Sequence, residues 1–100
     1  MTMKKSICKT LEIKGRFTSS NVFELQNKIE FTLHNIDILT LNLKQLVELD
    51  FVCAFMLYIC IVKASKKNKT IKLHNIENNA IIEVFKMTGV DRVINATKMI

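Results

Sequence analysis

The chain has 100 residues, 49% of them apolar and 24% charged, which is the size and make-up of one folded domain and too apolar for intrinsic disorder. With no proline and only two glycines it leaves no place for a flexible linker, and its longest apolar run, Phe51 to Val62, falls short of the roughly 20 residues a bilayer span takes. The net charge of +6 raises nucleic-acid binding as a class, but the lysines fall in two blocks with few aromatics between them and no arginine-rich helix, so a solvated surface accounts for them.

The first block, Lys4, Lys5 and Lys9, opens the chain without an apolar signal region behind it, and a cytoplasmic protein is expected. Ile7, Lys9, Leu11 and Ile13 then alternate with Cys8, Thr10, Glu12 and Lys14, the period of a half-buried strand. Gly15 to Ser20 breaks that period and reads as a loop. Asn21 with Glu24 three residues on resembles a capping box. Val22, Leu25, Ile29, Leu33 and Ile36 follow at helical spacing, with Phe31 on the opposite face as a weak candidate for a partner contact.

Ile38 to Leu43 predicts an interior strand, and Asp50 an N-cap for a helix from about Phe51 to Lys66. The first turns of that helix are apolar almost all round, so they are either buried or present an exposed tip to a partner. Its end and the residues beyond carry the second lysine block, Lys63, Lys66, Lys67, Lys69 and Lys72, where positive charge offsets the helix dipole. Thr70 to Leu73 reads as a short strand and Asn79 to Thr88 as a last helix, with Ile81, Val84 and Phe85 inward and Gly89 as its stop. Val90 to Ile94 reads as a short strand or turn. Such alternation gives a largely parallel sheet backed by helices.

Little in this order carries catalysis. No glycine-rich phosphate loop follows the first strand, and no nucleophile–base pair or acidic pair is legible, so neither enzyme nor cofactor is expected. Cys53 and Cys60 lie about 10 Å apart along their helix, too far for a disulfide, and with Cys8 they read as buried, reduced thiols. His34 and His74 read as surface residues, Met56, Met87 and Tyr58 as core or rim.

Four phrases in this order resemble the STAS family of the anti-sigma-factor-antagonist type: Leu11 to Phe17; Leu41 to Leu43 with Leu46, Leu49 and Asp50; Ala64 to Lys69; and Glu83 to Val93, the last being the most specific. The resemblance is clearest over residues 7–94 and implies one STAS domain across 1–100, with a mostly parallel mixed sheet of about four strands backed by three to four helices. It also implies partner switching: such a protein binds a kinase-like anti-sigma factor until a Ser or Thr at the start of the second helix is phosphorylated. Here the chain departs from the family. The hydroxyl positions after Asp50 hold Phe51 and Val52, the glycine position holds Cys53, and Thr18 stands where the first loop has an acid.

The expected partner-binding residues are therefore Thr18, Ser19, Ser20, Asn21, Asp50, Phe51, Val52 and Cys53, with no phospho-switch at Phe51 or Val52. The expected partner is a protein: an anti-sigma factor, the ATPase of a lipid-transport ABC complex as alternative, or a second copy of the chain. A shifted phosphosite at Thr18, Ser19 or Ser20 is the remaining route to a switch, and a basic nucleic-acid binder is the third class, with no nucleic acid expected.

Overall fold

The structure, a computed structural model, describes residues 7–92. Its centre is β3 (Ile38–Asn42), flanked by β1 (Cys8–Glu12) and β5 (Thr70–His74) in a three-stranded parallel sheet of order β1-β3-β5. The register sets Leu11, Leu41 and Leu73 in one row and Leu39 beside Ile71 in another. Leu39, Leu41, Ile71 and Leu73 are buried while Thr40 and Lys72 are not, so one face of the sheet meets the core. On the edge strand β1 only Leu11 is partly buried and Ile13, just past its end, fully so; Lys9 and Ile7 are exposed although their parity is right. An edge strand has one neighbour, and the core does not reach its far end.

The residues read as a loop contain a strand. β2 (Gly15–Phe17) pairs in parallel with β4 (Leu46–Leu49), a second small sheet that the sequence reading missed. Three and four residues are too few to show a period, and their partner lies some thirty residues away, so neither is visible locally. Gly15, at φ 73°, makes the turn out of β1, and Phe17 is buried opposite Leu49. Five strands in two sheets thus stand where about four in one were expected, and every strand pair among the described residues is parallel.

Three helices pack on this frame: α1 (Val22–Leu33), α2 (Phe51–Lys66) and α3 (Asn79–Thr88). α1 buries Val22, Ile29 and Leu33, with Leu25 partly buried. α2 lies between α1 and α3 and also packs on β5, burying Cys53, Ala54, Met56, Leu57, Cys60, Ile61 and Ala64. α3 ends at Gly89 in the left-handed conformation, as its sequence predicts, and starts on a cap the sequence reading did not name, the Asn78 side chain accepting from the Ala80 N–H. Residues 90–92 are helical rather than extended, with Val90 buried; Val93 and Ile94 lie outside the described residues, as do Lys4 and Lys5.

Smaller corrections concern single side chains. Cys8 is exposed, not buried, because it sits at the open end of the edge strand. Met87 is exposed too, on the outer face of α3.

Candidate partner-docking site

β2 delivers its chain to the loop 18–21, and β4 runs through Asp50 into α2, so parallel pairing sets the loop beside the helix start. Asp50 joins them. Its Oδ1 accepts from the Cys53 N–H at 2.9 Å, the N-cap the sequence predicts, and its Oδ2 accepts from the Ser19 N–H at 2.8 Å. The Asp50 N–H in turn donates to the Phe17 carbonyl at 3.3 Å. Desolvation works to raise the Asp50 pKa, but the hydrogen bonds from Cys53, Ser19 and Val52 outweigh it and hold the carboxyl below the usual carboxylate range.

Asn21 is placed at the helix start but does not cap it. Its side chain turns back into the loop, Oδ1 accepting from the Thr18 N–H at 2.9 Å and Nδ2 donating to the Arg16 carbonyl at 2.8 Å. The capping-box expectation is corrected on this point: the loop's own orphan groups compete for the amide and hold it. Thr18 Oγ1 and Ser20 Oγ lie 2.8 Å apart in a hydrogen bond. The loop is therefore tied down at four points.

Above it stand Phe51 and Val52, 49% and 55% exposed. Cys53 departs from the expected set of contact residues, because its side chain is fully buried and it contributes only its N–H. Burial, then the hydrogen bond and charge of Asp50, push its thiol up to about 12. The other expected residues, Thr18 to Asn21 and Asp50 to Val52, come together at one corner.

Sequence reasoning missed the extent of the apolar surface. Phe55 and Ile59 are half exposed as well, and Tyr58 partly so, all on the outer face of α2. In an all-apolar helix no polar residue marks the outer face, and the one signal present, the spacing of Val52, Phe55, Ile59 and Val62 by three and four, is shared by the buried face. Phe31 is exposed on α1, as expected, and His34 and His74 are on the surface. Among the described residues no group of His, Cys, Asp or Glu is placed to hold a metal, and no helix is long and apolar enough to cross a membrane.

Comparison with known proteins places the chain in a family. The family described as "Mlab, STAS domain" matches residues 1–97. No curated protein sequence matches the chain. Among solved structures, that of the anti-sigma factor antagonist SpoIIAA in its unphosphorylated form superposes with a TM-score of 0.72 over 99% of this chain and 95% of that one, at 14% identity. At that identity the likeness is one of fold, and the fold is the α/β arrangement of parallel strands and covering helices that the sequence resemblance implied. The chain belongs to the STAS domain family.

Proposed function

We propose that the protein is a non-catalytic, cytoplasmic regulatory module that docks a protein partner through the loop Arg16 to Asn21 and the start of α2, without a phospho-switch at that helix. The observation that carries this is the tip itself: Phe51 and Val52, half exposed and side by side, on a helix start that Asp50 locks to the loop. Two apolar side chains held at a rigid surface corner lose little further entropy on binding and gain by being covered. Neither Phe nor Val accepts a phosphoryl group, so a kinase-type partner has no handle there with which to end the contact. In this reading the partner is a kinase-like anti-sigma factor.

A second reading has the same corner bind the ATPase of a lipid-transport ABC complex, some of which include STAS subunits. The match to the MlaB-type family model supports it.

The test is a binding assay with the purified anti-sigma factor and the purified ABC ATPase encoded nearest to this chain, using wild type and Phe51→Asp. Wild type is expected to retain one of the two proteins, and Phe51→Asp to lose it while keeping its circular dichroism. Equal retention by a folded Phe51→Asp variant would remove the site assignment.

A further inference from the structure

Beyond the tip, α2 carries an uncovered seam. Val52, Phe55, Ile59 and Val62 follow one another at intervals of three, four and three, and Lys66 comes four residues later. Phe55 and Ile59 are half exposed, Val62 partly so, and Lys66 is exposed with Lys63 beside it. That interval is the one by which a second helix packs along the first, its side chains entering the gaps between successive turns. The seam runs over fifteen residues, about 21 Å of helix from Val52 to Lys66.

Its two halves differ in charge. The first half is apolar; the second ends at Lys63, Lys66 and Lys67, which rim a cleft of about 610 Å³ between the C-terminal ends of α1 and α2. The ion pairs among the described residues join Lys14 to Glu12, Arg16 to Glu48 and Lys86 to Glu83, and none of these three lysines pairs with an acid of the described residues. Lys69, also at the cleft, is already engaged by the Leu33 and His34 carbonyls. Glu30 is the one acid in the lining.

We infer that the occupant of this face is an amphipathic helix of the partner protein, apolar where it meets Phe55 and Ile59 and acidic where it meets Lys63 and Lys66. The inference rests on the docking reading above and gives the partner segment its chemistry. Charge and side-chain spacing select this occupant over two others. A second copy would bring together two chains of net charge +6 with no acidic cluster to meet the lysines. A membrane is a poorer fit, because lipid offers no row of side chains to enter the gaps between successive turns of α2 and leaves the spacing by three and four unused.

Affinity for whichever of the two partner proteins binds wild type is measured, at about 50 mM and about 500 mM salt, for Phe51→Asp, Phe55→Ala and the pair Lys63→Glu with Lys66→Glu. The lysine pair is expected to weaken binding about tenfold at low salt, with the loss shrinking at high salt, and Phe55→Ala to weaken it about tenfold at both. If Phe51→Asp abolishes binding while the other variants leave it unchanged, the helical seam is wrong and the docking corner stands. If Phe51→Asp has no effect either, the docking corner itself falls, and the seam with it. Two controls use the protein alone: sedimentation as a dimer that Phe55→Ala disperses, or flotation with phosphatidylglycerol–phosphatidylcholine vesicles that the lysine pair abolishes. Either would overturn the inference in favour of a second copy or a lipid surface.

Discussion

One carboxylate spans the docking corner: Asp50 takes the Ser19 N–H on Oδ2 at 2.8 Å and the Cys53 N–H on Oδ1 at 2.9 Å, so a residue of the first loop and one of the second helix, thirty-four positions apart, share a single anchor. The bond to Cys53 is local and caps the helix. The bond to Ser19 exists only because β2 and β4 lie in register below it.

Replacing Asp50 by Ala removes both bonds, and we expect a loss of about 1–2 kcal/mol, measured by urea denaturation at neutral pH. Because the folded carboxyl sits below its ordinary pKa, the ionised form is the one that stabilises the fold. That contribution is complete above the unfolded-state value of about 3.9 and is lost as the pH falls through the lower folded value. The gap between wild type and Asp50→Ala should therefore narrow as the pH is taken below about 4, while staying constant between about pH 6 and 8.

Phosphorylation gives a second test. With Phe51 and Val52 at the helix start, the hydroxyls left at this corner to carry a switch are those of Thr18, Ser19 and Ser20, and Thr18 and Ser20 are bonded to each other. Incubation with the kinase-like partner and ATP should leave the peptide spanning these residues unmodified and the complex intact. Phosphate found on Ser20 by mass spectrometry, with loss of binding, would return a phospho-switch to the protein at a shifted site.

The three thiols should separate cleanly. Cys53 is pushed up to about 12 by burial and by Asp50, and Cys60 to about 11 by burial and by the charge of Glu30, whereas Cys8 is exposed. A thiol reagent at pH about 8 should titrate one cysteine per native chain, at Cys8, and all three only after denaturation. Rapid native reaction at Cys53 would mean that the start of α2 opens far more readily than its packing implies.

Gly89 holds the left-handed turn that ends α3, at φ 85°. A Cβ there would meet only Tyr58 Cε2, at 3.7 Å, an ordinary contact, so Gly89→Ala costs backbone conformation and nothing in packing. About 1 kcal/mol of destabilisation is expected, read as a lower thermal midpoint with the fold retained.

Wherever a signal is local, the sequence carries it. The N-cap at Asp50, the stop at Gly89, the limits Phe51–Lys66 and Asn79–Thr88, and the interior strand from Ile38 are all written in caps, breakers and runs of apolar residues. Asn21 looked the same as Asp50 to that reading, yet its amide is held by Arg16 and Thr18, because which backbone groups compete for a side chain is settled by the path of the loop. β2 and β4 escaped notice for a related reason: each is stabilised by the other, not by its own residues.

The amino-acid chain by itself determined the order of elements, the absence of a hydroxyl at the start of the second helix and the excess of positive charge. It did not determine which side of α2 faces out. Phe51, Val52, Phe55 and Ile59 are as apolar as Cys53, Leu57 and Ile61, and hydropathy cannot divide them. The division comes from the sheet and the helices α1 and α3, which cover one side of α2 and leave the other bare, since a helix apolar all round needs more neighbours than a three-helix layer supplies.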